Sequence, residues 1–311
     1  MSRAIVVGAR CRRQGIGEFI TRSLHNVGVG IAGIVGTSEA TLAEARRRLE
    51  TRYGIETPGF ASLEAAIEKA QPDMVAICSP NGFHREQLEI TARAGLHCLC
   101  EKPLWWSDDQ ADSRAITKAL VAAFTMRNRL LDLVTQWPFT LPSFDMLHGN
   151  SKSERLQSFE MILSPRSEGE AIIPDCIPHV WSLLYAVAGG GEVRDPTIRY
   201  AGGAGREVTV RFRYAHATGD AAVTCRFVTT ATKPSPAAYA INGRWMHRQV
   251  RLPDYGFEFE SNGRTVPAED PLDLLVADFI RRMHAGELTD AAKLVAAQLA
   301  VETVARMTRL E

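Results

Sequence analysis

The sequence predicts an α/β protein in two parts: an N-terminal doubly wound parallel sheet, then an α+β domain on an open, mostly antiparallel sheet. Three observations predict it. Strands alternate with helices through short turns as far as about residue 122. A glycine-rich turn, Gly8 to Gly17, lies between the first apolar strand and the first helix. Beyond residue 122 the pattern changes to strands of alternating polarity separated by glycine turns. A chain of 311 residues exceeds what one core ordinarily serves. The expected domains are therefore 1–122 and 123–311, the second closing with helices over 272–307.

Each element has a reason. Ala4-Ile5-Val6-Val7 is a short, fully apolar strand, as in a sheet covered on both faces. A helix from about Glu18 to Val27 places Phe19, Ile20 and Leu24 on one face. Val29–Val35 is the second strand. The helix from Thr37 to Tyr53 can be capped by Ser38 and buries Leu42, Ala45 and Leu49. A short strand near Pro58-Gly59-Phe60 precedes a helix from Ser62 to Lys69. Asp73–Cys78 is another buried strand. A helix from Phe83 to Ala94 ends at Gly95, and His97–Cys100 is the next strand. Ser107–Leu120 reads as a helix and Leu131–Thr135 as one more strand.

In the second part, Arg155–Leu163 alternates, with Phe159, Met161 and Leu163 on its apolar face. Val208–Tyr214 and Ala221–Thr229 alternate and can pair across Gly219-Asp220. Ala238–Ile241, Trp245–Leu252 and Phe257–Glu260 complete the strands. One helix, Ile177–Val187, interrupts them. Helices Leu272–His284 and Asp290–Met307 close the chain.

Composition narrows the function. Apolar residues make up 45% of the chain and the formal net charge is zero, so no long-range attraction to nucleic acid or anionic membrane is expected. The six cysteines are scattered, mostly inside apolar runs, which fits reduced thiols in a cytoplasmic protein. Cys98 and Cys100 lie beside His97, but no second ligand pair has zinc spacing, and no metal is expected. Residues 1–8 read as a strand rather than a targeting segment, and no apolar run is expected to reach transmembrane length.

The glycine-rich turn suits a dinucleotide. Gly8 and Gly15-Ile16-Gly17 let backbone N–H groups approach a pyrophosphate at a helix N-terminus, although the loop is longer than the usual spacing. The second strand ends in Gly36-Thr37-Ser38, where an NAD site usually places a carboxylate. Thr37 and Ser38 offer hydroxyls there, and Arg10, Arg12 or Arg13 can supply a counter-charge to a 2′-phosphate. NADP(H) is the expected cofactor, with NAD(H) as the alternative.

Three motifs follow in order: the glycine-rich turn, Ser79-Pro80-Asn81 with His84, and Glu101-Lys102-Pro103. Together they resemble the glucose–fructose oxidoreductase and inositol dehydrogenase (Gfo/Idh/MocA) family, and Asp175-x-x-x-His179 matches a further motif of that family. The resemblance implies a Rossmann domain followed by an open antiparallel sheet. It implies hydride transfer between nicotinamide and a carbonyl, alcohol or imine carbon of a sugar-like or other polar metabolite. Lys102 would hydrogen-bond the reacting oxygen and the nicotinamide ribose. Asp175 and His179 would form the substrate-side pair, His179 as acid or base. Ser79, Pro80, Asn81, His84 and Glu101 would complete the cofactor side. The chemistry agrees, because a cation beside a carbonyl oxygen stabilises the alkoxide that reduction creates. Pro103 favours an extended Lys102 at a strand end.

Pro178 fits a helix only in its first turn, so Asp175 is also a candidate N-cap. Gln136-Trp137 occupies a region where many sugar-acting members carry an arginine, and Trp105-Trp106 follows the lysine directly. Trp105, Gln136 and Trp137 are therefore candidate pocket residues, suited to a less hydroxylated substrate than a free hexose. The resemblance also implies a homodimer or homotetramer through the C-terminal sheet. Two readings compete with the dehydrogenase: a non-catalytic dinucleotide-binding sensor or scaffold, and a lyase or hydrolase that recycles a tightly bound NAD.

Overall fold

The computed structural model describes residues 1–9, 15–107, 113–251 and 256–309. The chain forms two compact units, Met1–Val134 with Leu272–Val295, and Thr135–Pro271 with Ala296–Glu311.

In the first unit the strands are β1 (Arg3–Val7), β2 (Gly30–Val35), β3 (Gly59–Phe60), β4 (Met74–Ile77), β5 (His97–Glu101) and β6 (Leu131–Val134). The helices between them are α1 (Gly17–Asn26), α2 (Glu39–Tyr53), α3 (Leu63–Ala70), α4 (His84–Arg93) and α5 (Ser113–Thr125). All strand pairs are parallel, in the order β3-β2-β1-β4-β5-β6. β1, β4 and the middle of β5 are almost entirely buried, which is why they read as unbroken apolar runs. The strand order reverses between β1 and β4. Ligands of open parallel sheets bind at that crevice, outside the carboxyl ends of the strands.

Ser38 caps α2 in a capping box with Thr41, as expected. Helix α5 is described from Ser113 and runs on to Thr125; residues 108–112, where its expected first turn falls, lie outside the described residues. β6 pairs with β5, so the first sheet extends past residue 122.

The second unit contains α6 (Leu141–His148), β7 (Ser158–Leu163), α7 (Ile172–Ala188), β8 (Gly191–Ala201), β9 (Glu207–His216), β10 (Gly219–Val228), β11 (Ala237–Ile241), β12 (Arg244–Arg251), β13 (Gly256–Ser261) and β14 (Arg264–Ala268). Its sheet runs β14-β13-β12-β11-β7-β10-β9-β8, antiparallel except for β7 with β10. One face packs against α6 and α7. Phe159, Met161, Val210, Phe212, Cys225, Phe227 and Tyr239 alternate onto it.

Helix α7 corrects two expectations. It begins at Ile172, so Pro178 is inside the helix, and Ala171 rather than Asp175 is the N-cap. A proline there removes one helical hydrogen bond at a cost of about 3 kcal/mol. Eleven side chains of the helix are buried, each contributing roughly 1.5–3 kcal/mol if large and apolar, and burial therefore wins. The stretch Gly169–Ala188 is also long and apolar enough to cross a membrane by length and composition alone, contrary to expectation. Of its most apolar window, 61% is buried inside the protein, as in a core helix.

The chain ends with α8 (Pro271–His284) and α9 (Ala291–Ala305). In the first unit Asp273 accepts from Arg22 at 2.9 Å and from the Ser23 hydroxyl. Asp132 on β6 pairs with Arg282 at 2.5 Å and Lys293 at 3.4 Å. These bonds fasten the returning chain to α1 and to β6. The five described cysteines are buried and free.

Candidate active site

The first unit brings three sequence-predicted groups to the carboxyl ends of adjacent strands: Gly8 after β1, Ser79-Pro80-Asn81 after β4, and Lys102 after β5. Gly8 has φ +77°, and a Cβ on it would lie 2.7 Å from the Cys78 carbonyl oxygen. Only glycine fits that approach. Gly17 opens α1 so close to the turn that a Cβ would lie 2.2 Å from the Gly8 carbonyl oxygen. The helix N-terminus therefore presses directly on the turn, the arrangement a pyrophosphate needs. Gly15 and Ile16 lead into this helix, whereas Arg10 and Arg13 lie outside the described residues. Thr37 and Ser38 are exposed at the end of β2, and the Ser38 hydroxyl accepts from the Thr41 N–H at 3.3 Å.

Behind the turn, Glu18 is 1% exposed and holds Arg48 at 2.9 Å and Arg52 at 2.7 Å. The Tyr53 hydroxyl lies 3.3 Å away, and its pKa is raised by burial and by the Glu18 charge. This cluster ties α1 to α2 and was not expected from the sequence. An acidic residue in the first turn beside glycines was the available signal.

Lys102 is largely enclosed, with 9% of its side chain exposed, and Nζ lies 3.7 Å from Glu101 Oε1. The Ser79 hydroxyl donates to Gln87 Oε1 at 2.6 Å. Asn81 begins a short helical turn, and Pro80 is exposed. His84 was expected beside the nicotinamide. It is completely buried instead, with Nε2 2.8 Å from the Ser79 carbonyl and Nδ1 2.9 Å from the Pro103 carbonyl. Burial lowers its pKa, against the pull of the two carbonyls. The imidazole thus braces the turn after β4 against the residue that follows Lys102. Trp105 is buried in the core of this unit, and its Nε1 donates to Thr117 Oγ1 at 2.9 Å.

In the second unit, Asp175 accepts from the Ser167 hydroxyl at 2.7 Å. His179 follows one turn later on the same face of α7, and its carbonyl accepts from Ser182. The turn Trp137–Thr140 packs against α7. Trp137 is buried, edge-on to Tyr239 with 6.1 Å between ring centroids. Gln136 is half-buried beside it. Over Trp137 lies Arg248, 5.7 Å from the ring centroid. Arg248 was missed in the sequence. Its signal is parity: in β12 it shares a face with Met246, which is fully buried.

A doubly wound parallel sheet whose switch point carries a close-packed glycine turn is a dinucleotide-binding fold. Residues 3–123 match the family described as oxidoreductase family, NAD-binding Rossmann fold (Gfo/Idh/MocA). The chain is 28% identical over 169 residues to UDP-N-acetylglucosamine 3-dehydrogenase of Acidithiobacillus ferrooxidans, covering 52% of this chain and 48% of that protein. A crystal structure of that dehydrogenase superposes with a TM-score of 0.72 at 17% identity, covering 98% and 97% of the two chains. D-xylose 1-dehydrogenase (NADP(+)) 2 of Haloferax volcanii is 35% identical over 97 residues, 28% of this chain and 30% of the relative. The structure of levoglucosan dehydrogenase in complex with NADH and levoglucosan has a TM-score of 0.73 at 16% identity, covering 99% and 97%. The aligned stretches span about half the length of the curated relatives or less.

Proposed function

We propose that the protein is an NADP(H)-dependent oxidoreductase that transfers hydride between nicotinamide and a carbonyl or alcohol carbon of a sugar-like metabolite. The observation that carries this reading is the placement of Lys102, enclosed beside Glu101, on the strand-end rim that also holds Gly8 and Gly17. The cradle left by the two missing Cβ atoms fits a dinucleotide. The cofactor supplies or accepts the hydride. Lys102 donates a hydrogen bond to the reacting oxygen and stabilises negative charge there. Glu101 is its counter-charge. His179 removes or returns the hydroxyl proton, and Asp175, one helical turn before it, helps fix the substrate. His84 acts at one remove, holding the backbone on either side.

NADP(H) is favoured by Gly36-Thr37-Ser38, which puts no carboxylate at the end of β2. One relative is named for NADP(+), and another is solved with NADH. We place the enzyme in the cytoplasm as a homodimer or homotetramer. Its contact would be the outer face of the second sheet, where Ile162, Val228 and Trp245 stand among charged side chains.

The test is turnover of NADPH or NADP+ against a panel of sugars, sugar acids and polyols. Lys102→Ala should lower kcat by about 10²–10³-fold, the usual effect of removing one oxyanion donor. Unchanged turnover overturns the assignment, and a tenfold preference for NADH overturns the cofactor choice. Bound cofactor that is never consumed would favour the recycling lyase or the sensor.

A further inference from the structure

Arg248 is held inside the second unit, and among the described residues no ion pair to it is formed. Strand parity puts it there: it pairs with Phe259 across β12 and β13, on the face that Tyr239 and Phe159 share. Its Nη2 donates to the Ser235 carbonyl at 2.7 Å, and its guanidinium lies over Trp137. Its Nε is buried and has no hydrogen-bond partner. Among the described residues no carboxylate reaches ion-pair distance of it; Asp270 acts only as a more distant charge. Two further buried polar atoms near this turn also lack partners, Gln136 Oε1 and Trp181 Nε1. Gln136 adjoins Trp137 in sequence, and Trp181 lies on α7, the helix of Asp175 and His179.

Burying a cation without an anion costs more than stacking on one tryptophan returns. A guanidinium edge with an unused N–H is complementary to a planar or tetrahedral oxyanion. We propose that Arg248, stacked on Trp137, binds an oxyanion group of the substrate, so that the substrate is an acidic sugar-like compound rather than a neutral sugar. The identification of the ligand as a substrate rests on the oxidoreductase reading above. The site itself does not.

The protein, saturated with NADPH, is titrated with D-glucuronate, D-glucose 6-phosphate and D-glucose while tryptophan fluorescence is followed. At least one acid should bind tenfold or more tightly than glucose, and which one separates a carboxylate from a phosphate. Arg248→Met should weaken that acid at least tenfold, and Arg248→Lys less, because lysine keeps the charge but not the fork. If Arg248→Met does not fold, competition on the unaltered protein decides. Inorganic phosphate should displace the acid but not glucose, and a failure to displace it overturns the proposal. Equal binding of acid and parent sugar, no response to any oxyanion, or an acid preference that survives Arg248→Met also overturns it. Oxyanion binding that depends on Arg248 without turnover of any probe would remove the oxidoreductase reading and leave this site standing. Turnover with no acid preference would do the reverse.

Discussion

Gly17→Ala tests the closest approach in the dinucleotide turn. The added Cβ would sit 2.2 Å from the Gly8 carbonyl oxygen and 2.8 Å from Ala9 Cα. The first contact is 0.8 Å inside the 3.0 Å that real Cβ atoms respect (3.0 − 2.2). Both obstacles are main chain, so no rotamer change relieves them. Two effects oppose each other. Alanine favours a helical position over glycine by about 1 kcal/mol. Overpacking a rigid contact costs about 1–3 kcal/mol, and here the upper end applies because α1 as a whole must retreat. The expected net loss is about 1–2 kcal/mol, or roughly 2–8 °C in Tm for a unit of this size. On the proposed function, retreat of the helix N-terminus also moves the N–H groups that would face the pyrophosphate, and NADPH affinity should fall about tenfold, which is 1.4 kcal/mol. The assays are thermal unfolding and NADPH titration, with Gly203→Ala as control because nothing lies within 4 Å of the Cβ it would gain. If Gly17→Ala matches that control in both, the close packing of α1 on the turn has no energetic consequence and the reasoning is refuted.

Two further outcomes follow from buried charge. Replacing both Arg48 and Arg52 by alanine strands the Glu18 carboxylate and should cost about 3–5 kcal/mol in denaturant titrations. Glu18→Ala should cost clearly less, because the two arginines are 35% and 46% exposed and can rehydrate; the opposite ranking would refute a desolvated Glu18. His97 has its pKa lowered to about 4 by burial and then by Arg129, while its Nδ1 accepts from the Leu130 N–H. A depressed folded pKa means that its stabilisation is complete above about pH 6.5 and is lost as pH falls toward 4. Because the ring is only half-buried, the loss is on the order of 1 kcal/mol after solvent screening. His97→Asn should flatten stability across that window, and an unchanged slope would remove His97 as its source.

The parallel sheet was legible because strands covered on both faces must be apolar throughout, as β1 and β4 are. The same logic failed at the edges of the second sheet. β8 was missed because Asp195 at φ +49° and Pro196 interrupt its alternation, and the register slips between Arg194 and Thr197. β14, the other edge, carries Pro267, which an interior strand would not tolerate. α6 was missed because Pro142 and Ser143 read as loop signals, although proline suits a first helical turn. The motif residues themselves were visible. What His84 does was not, because a histidine facing two carbonyls and one facing a cofactor have the same sequence. The placement of Arg248 over Trp137 also emerges only when strands and turns distant in sequence are brought together.

The returning chain has a consequence for how the protein can be divided. The boundary between units is crossed at Val134, at Pro271 and again within α9. No single cut of the polypeptide therefore releases an intact cofactor half. A fragment ending at residue 122 would lack β6, the Arg282 and Thr289 bonds to it, and the Asp273 bonds to α1. A fragment meant to carry the first unit whole must include residues 272–295 as well as 1–134.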